Sequence, residues 1–503
     1  MFFHCRLAST LKTPLLPNGS RQIEIFFGLA LQASGRCNFV MDTEFYRQAL
    51  QSAVGGRRWI LFGLPLAPLV PQARLLKKLG AEAVFLVGSG PGTGDPPDPD
   101  EFPHYALDAS GSDIIAGFRR YEAGLRQPPR ALREALDRFD PDHTALCLAE
   151  FTLAPIYGIA GRRRFGAAPA PWTDLEDKVR VDALWQAAAI PRAPSVLVPM
   201  DGAAWQASWK GLDRGHGLVA AADARDGLHG GGVGVRWMQQ PDQIPATVEA
   251  LSPRSDRVRL MPFLEGLPCS IHGFVLADGI AVFRPVEMVI LRRPEKAEFF
   301  YGGMATFWDP PESGAEAMRR TARRVGETLA RRYAYRGCFT IDGVLSPEGF
   351  FPTELNARVG AALPLLEMED PAVKLSFLSA LVVEVNQAMH PQALENLVLQ
   401  HSREHRAGRG GSVLPFKVQE EKRVELVYEL DLYREALEDE VVQANMALGP
   451  NDSGAFLSFA PDPASLSIGP PFAPRVVAAF AAADRLWGTG IGKLEAAPNP
   501  FAD

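Results

Sequence analysis

Residues 338 to 358 read CFTIDGVLSPEGFFPTELNAR, two extended runs (Cys338 to Leu345, Phe350 to Arg358) around Ser346-Pro347-Glu348-Gly349. Proline suits the first turn position and glycine a left-handed one, so a three-residue loop from Pro347 to Gly349 predicts Ser346 paired with Phe350. Counting back places Asp342 opposite Glu354 and Thr340 opposite Asn356. Because side chains alternate along a strand, Asp342, Glu354, Asn356 and Arg358 then share one face. Two carboxylates facing each other weaken a strand pair unless a cation lies between them. With an amide oxygen beside them they form three hard oxygen ligands of the kind that suits Mg²⁺ shared with phosphate. Arg358 could fork onto a phosphate or an acyl phosphate. The plainer alternative is an exposed polar strand face with Glu354 and Arg358 as solvated charges.

Upstream of the hairpin, Ser313-Gly314-Ala315-Glu316 has capping-box spacing. Met318, Thr321, Ala322, Val325 and Leu329 continue at helical spacing towards a stop at Gly337. Asp174 to Ile190 reads as a helix capped by Asp174, followed by a strand at Ser195 to Val198. Gly161 to Trp172 (GRRRFGAAPAPW) is the clearest boundary in the first half. Before it, Trp59 to Phe62, a helix through Arg74 to Leu79, and Ala83 to Val87 form a βαβ-like opening. Gly88 to Gly94 (GSGPGTG) lacks the Lys-Ser/Thr ending of a Walker loop and reads as a turn. The last hundred residues alternate short helical and extended stretches, with breaks at Ala460 to Pro463 and Gly469 to Pro474.

At 503 residues the chain has room for two or three domains. Its formal net charge of −7 provides no basic field for nucleic acid. Five dispersed cysteines without a CxxC pair suit neither a disulfide framework nor a zinc site, and point to a reducing cytoplasm. The apolar run Ile23 to Ala33 is interrupted by Glu24, and no membrane segment follows it. Residues 1–40 read as an upstream extension before a second possible start at Met41.

Further motifs share an order with the hairpin. Leu175-Glu176-Asp177-Lys178 would open a helix. The stretch 223–235, DARDGLHGGGVGV, is a Gly-rich loop whose backbone N–H groups could approach phosphate. Met261-Pro262-Phe263-Leu264-Glu265-Gly266 follows as a strand and turn. In this order the segments resemble the ATP-grasp superfamily, with Glu354-Leu355-Asn356-Ala357-Arg358 similar to its metal-binding Glu-x-Asn-x-Arg segment.

The resemblance implies an αβ pre-ATP-grasp domain followed by a two-lobed ATP-grasp fold, α+β lobes with antiparallel sheets, and a C-terminal extension. The implied divisions are 1–40, 41–170, 171–260, 261–388 and 389–503. ATP would be held by Lys178, Asp223, Gly230, Gly231 and Gly232, and by an adenine hinge at Met261, Phe263 and Leu264. Mg²⁺ would sit on Asp342, Glu354 and Asn356. The family's second lysine is missing from His216 to Ala221, with Arg225 or Lys210 as substitutes, and Leu267-Pro268 stands where an acidic ribose contact often follows the hinge.

Cys269 to Gly273, Phe283 to Glu287 and the Asp-Ala-Arg-Asp-Gly loop most resemble the pheganomycin-type peptide ligases. This implies a carboxylate–amine ligase working through an acyl phosphate on small-molecule substrates, an amino acid or peptide, with neither nucleic acid nor membrane as partner. Arg358, Arg284 and Arg225 would be catalytic, Arg284 and Arg292 clamping a carboxylate, while Ser270, His272 and Glu287 would contact the amine or a second substrate. A small-molecule kinase or a silent nucleotide-binding protein would share the nucleotide site.

Overall fold

A computed structural model describes residues 35–502 apart from 112, 228–231, 369–372 and 386–388, with side chains from residue 43 onward. Residues 42–503 form one compact unit. The helix Gly35–Val54 leads into a parallel four-stranded sheet, in the order His104–Ala106, Ala83–Gly88, Arg58–Phe62, Leu146–Ala149. Trp59, Ile60, Leu61 and Phe62 are all wholly buried, as expected for a central parallel strand covered on both faces. Ser89 to Gly94 is irregular, and Asp452 from the C-terminal segment accepts hydrogen bonds from the Ser89 hydroxyl and the Gly90 N–H. A carboxylate of the chain itself thus takes these donors.

The second sheet is antiparallel, in the order Val196–Pro199, Arg257–Pro262, Leu218–Ala222, Val235–Met238. Helices Gly202–Leu212 and Ile244–Leu251 cover it, burying Trp205, Trp209 and Leu251 against Leu218, Ala220 and Leu260.

The third sheet has ten antiparallel strands. From one edge they are Gly349–Asn356, Gly337–Ser346, Leu267–Leu276, Gly279–Arg293, Glu298–Ala305 and Gly408–Leu414. Gly454–Pro461, Ala444–Asn451, Lys422–Glu429 and Leu432–Glu435 continue it. The C-terminal segment is therefore joined to the hairpin lobe by main-chain pairing, Met304 opposite Arg409. Pro474, read as part of a break, lies in the first turn of the helix Ala473–Trp487, where its missing N–H costs nothing. Among the described residues no helix is long and apolar enough to cross a membrane.

Three local expectations are corrected. The helix expected from Asp174 is a 3₁₀ turn, Asp174–Glu176, then a break, then Val181–Ala187. At the break Asp177 takes an extended ψ of 115° and its carboxylate accepts the Val179 N–H. The long helix starts at Glu312 after Pro311, without the Ser313 box, and ends at Ala334 in the left-handed region (φ 48°) rather than at Gly337.

The hairpin loop holds two residues, not three, so Ser346 pairs with Gly349. A bulge at Thr353 restores the lost residue, and Asp342 still faces Glu354 with Thr340 facing Asn356. Two offsets of one residue cancel.

Candidate active site

The hairpin face gathers a connected polar cluster. Asn356 Nδ2 donates to Asp342 Oδ2 at 2.9 Å, and the hydroxyl of Ser270, directly opposite Asp342 on the next strand, donates to Oδ1 at 2.6 Å. Burial pushes the Asp342 carboxyl up to about 6, and the facing Glu354 charge adds to the rise. Lys178, set free by the helix break at Asp177, lies with Nζ 2.5 Å from Glu354 Oε1. Arg358 donates to Asn356 Oδ1 at 2.8 Å and to the buried Glu176 at 3.0 Å, and its guanidinium lies 4.7 Å from the centre of the Phe151 ring. Desolvation raises Glu176, with Arg358 opposing the shift.

Among the described residues no three His, Cys, Asp or Glu side chains form a metal cluster. The oxygen set here is two opposed carboxylates and one amide, which suits a hard divalent ion completing its shell with phosphate oxygens and water. Burial is the larger cause of the rise at Asp342, and the facing Glu354 charge adds a like-charge repulsion of the kind such an ion relieves.

The strand before the hinge touches the hairpin main chain through a residue not singled out from sequence. Arg259 is wholly buried, pairs with Asp182 at 2.8 Å, and directs Nη1 to the Thr353 carbonyl and the Met261 sulfur, each at 3.3 Å. An arginine among apolar strand positions in Arg257-Val258-Arg259-Leu260 was the available signal. Phe263 packs in a three-ring cluster with Trp237 (4.5 Å) and Phe299 (6.0 Å), and the Arg292 guanidinium lies 4.8 Å from its ring centre. Its N–H already donates to Gly217 O, and Met261 pairs with Val219, so main-chain groups expected to read adenine are in use there. Leu264 is half-buried.

In the Gly-rich loop, Gly230 and Gly231 lie outside the described residues, while Gly227 (φ 90°) and Gly232 (φ 77°) use the left-handed region. Asp223 is buried, and its carboxylate accepts from Arg225 N, Ser255 Oγ, Asp256 N and Arg257 N. It anchors the loop to the neighbouring strand. Arg225 is taken by Asp226, Asp256 and the Pro253 carbonyl, and Lys210 is exposed on its helix.

Arg284 and Glu287 are both hydrogen-bonded to residues beyond position 400. Arg284 donates to Ser402 O at 2.9 Å, Trp308 O at 3.1 Å and Asp309 at 2.7 Å. Glu287 accepts the N–H groups of Phe472 and Ala473 at 2.6 and 2.9 Å, capping the helix Ala473–Trp487. His272 is wholly enclosed, with Nδ1 2.8 Å from Thr340 Oγ1, and burial lowers its pKa to about 3, so it is neutral. Arg292 makes a two-pronged pair with Glu265 at 3.1 Å.

No family model matches the chain, and no curated protein does. Among solved structures, the chain is similar to biotin carboxylase from Campylobacter jejuni in its beta-gamma-ATP complex. The identity is 12% and the TM-score 0.51, over 80% of this chain and 87% of that one. N5-carboxyaminoimidazole synthase from Aspergillus clavatus, with ADP and 5-aminoimidazole ribonucleotide, matches at 11% identity and a TM-score of 0.47, over 86% and 100%. Phosphoribosylamine–glycine ligase from Thermotoga maritima matches at 14% and 0.46, over 87% and 97%. The first of these shows the architecture alone: the chain shares the fold of that biotin carboxylase.

Proposed function

We propose that the protein is an ATP-dependent ligase that joins a carboxylate to an amine through an acyl phosphate, releasing ADP and phosphate, as peptide ligases do. The observation that carries this reading is the convergence of Asp342, Glu354, Asn356, Lys178 and Arg358 from two distant segments onto one hairpin face. Asp342, Glu354 and Asn356 would hold Mg²⁺, which when bound supplies charge neutralisation to the phosphates of ATP. Lys178 and Arg358 add fixed positive charge where the γ-phosphoryl oxygens would lie, and Ser270 and Asn356 keep the Asp342 carboxylate oriented. Phosphoryl transfer to a carboxylate asks for positioning and charge rather than a protein nucleophile, which this cluster is equipped to give. Small-molecule carboxylates and amines, amino acids or peptides among them, are the substrate class.

The test is Glu354→Gln assayed for ADP formation with Mg–ATP, a panel of amino acids, peptides and simple carboxylic acids, and hydroxylamine, which traps an acyl phosphate as a hydroxamate. Loss of at least a hundredfold in turnover is expected, on the order of 3 kcal/mol of transition-state stabilisation. Unchanged turnover removes the site, and a stable phosphorylated product without hydroxamate makes the protein a kinase.

A further inference from the structure

The hairpin turn pairs Ser346 with Gly349. Continued without interruption, that register would set Asp342 against Thr353 and leave Glu354 on the other face, since a slip of one residue turns every side chain over. The bulge at Thr353 is therefore what carries Glu354 onto the face of Asp342. Its neighbours are fitted to it. Pro352, opposite Gly343, brings no N–H to the ladder, and a Cβ at Gly343 would lie 2.4 Å from Phe351 O.

Two bonds hold the bulged residue. The Thr353 hydroxyl donates to Asp342 O at 3.1 Å, and the Thr353 carbonyl accepts from Arg259 Nη1 at 3.3 Å. Arg259 is wholly buried on the strand Arg257–Pro262, and the sulfur of Met261 lies 3.3 Å from the same Nη1. The rest of the guanidinium is fixed by Asp182, with Nε donating to Oδ2 at 3.0 Å and Nη2 lying 2.8 Å from Oδ1. Asp182 stands in the first turn of the helix Val181–Ala187, just after Lys178, and also accepts from the Ser195 hydroxyl. One side chain thus touches the hinge strand, the segment that follows Lys178, and the bulge beside Glu354.

A buried ion pair gains little stability over apolar side chains of similar volume, so its use here is to fix one arrangement of the groups around it. The planar fork of arginine serves several partners at once, which a lysine ammonium on its flexible stem does not. We propose that Arg259 is a positioning residue for the metal site of the ligase reading, on which this inference rests. It braces the Thr353 bulge and so keeps Glu354 opposite Asp342, where the two carboxylates can share Mg²⁺. It acts through the Thr353 carbonyl, with no contact of its own to the ion.

Three variants test the brace. Arg259→Lys keeps a cation for Asp182 but gives up the fork that also reaches Thr353. Arg259→Met combined with Asp182→Asn removes the donor without leaving an unpaired buried charge. Thr353→Val removes only the hydroxyl bond to Asp342 O. The experiment measures, by calorimetry, the affinity for a non-hydrolysable ATP analogue in EDTA and at saturating Mg²⁺, with urea unfolding alongside. In all three variants the gain in affinity brought by Mg²⁺ is expected to shrink at least fivefold, with affinity in EDTA within twofold of the wild type. A merely structural role would lower the urea midpoint and leave the Mg²⁺ gain of the folded protein unchanged. That result in the Arg259 variants overturns the proposal, and so does equal weakening with and without Mg²⁺. The ligase reading is judged apart from it, by Glu354-dependent hydroxamate formation in the wild type. Hydroxamate that depends on Glu354, with a Mg²⁺ gain indifferent to Arg259, overturns the brace alone. A Mg²⁺ gain that depends on both residues, with no hydroxamate from any carboxylate, overturns the ligase reading alone. No Mg²⁺ gain in the wild type overturns both.

Discussion

Lys178 and Glu354, 176 positions apart in the chain, meet at 2.5 Å. The contact ties the break after the Asp174–Glu176 turn to the hairpin and leaves a cation on one of two opposed carboxylates. Lys178→Met is expected to raise KM for Mg–ATP at least tenfold, because the proposed site would use this ammonium for phosphate as well as for Glu354. Combined with Glu354→Gln, the losses should fall short of their product, since each variant removes the same contact. Steady-state kinetics on the four proteins of the cycle measure this, and fully multiplicative losses would separate the two residues functionally.

Arg284 is buried and bonded on three sides, to Ser402, Trp308 and Asp309. Its replacement by alanine leaves two buried carbonyls without their donor and should cost roughly 2–4 kcal/mol of stability. Urea unfolding monitors that loss. The fraction still folded should keep a wild-type KM for the carboxylate, and a raised KM at unchanged stability would return Arg284 to the substrate site.

Asp223 separates an anchor from a nucleotide contact. Four donors converge on its buried carboxylate, three of them main-chain N–H groups. Asp223→Ala should therefore destabilise the protein by about 2–4 kcal/mol. Calorimetry of Mg–ATP binding on the folded variant supplies the second readout. A stable variant that has lost only nucleotide affinity would contradict the anchoring role.

Glu287 gives a pH signature. Burial pushes its carboxyl from an ordinary 4.5 up to about 7, against the pull of the Phe472 and Ala473 N–H groups. The folded protein therefore holds this proton more tightly than the unfolded chain. The associated stability is complete below about pH 4.5 and is lost as pH rises through about 7. Glu287→Gln removes the titration. Between pH 5 and 8 its stability should fall less than that of the wild type, by on the order of 1–3 kcal/mol. Parallel urea midpoints across that range would refute the shift.

Local periodicity sufficed for the hairpin. The two-residue alternation of Cys338–Leu345 and Phe350–Arg358 set which side chains share a face, and that relation survived a loop one residue shorter than predicted because Thr353 bulges. The apolar runs at Trp59 to Phe62 and Ala83 to Val87 were legible for the same reason, since a central parallel strand is apolar at every position. The order of Lys178, the Gly-rich loop, the hinge and the hairpin was likewise written in the chain. The start and stop of the helix Glu312–Tyr333 were not, because Pro311 and Ala334 do by backbone geometry what Ser313 and Gly337 promised by residue type.

Only the tertiary structure decided what the buried polar residues do. Arg284 and Glu287 lie on the strand Gly279–Arg293, yet their partners are Ser402, Phe472 and Ala473, far along a segment whose sequence announces no motif. Arg259 next to Thr353 arises from strands brought together over a long separation. Alternation along a strand fixes a side chain's face, which the sequence states. Which distant segment covers that face depends on how the sheets pack, and no local spacing records it.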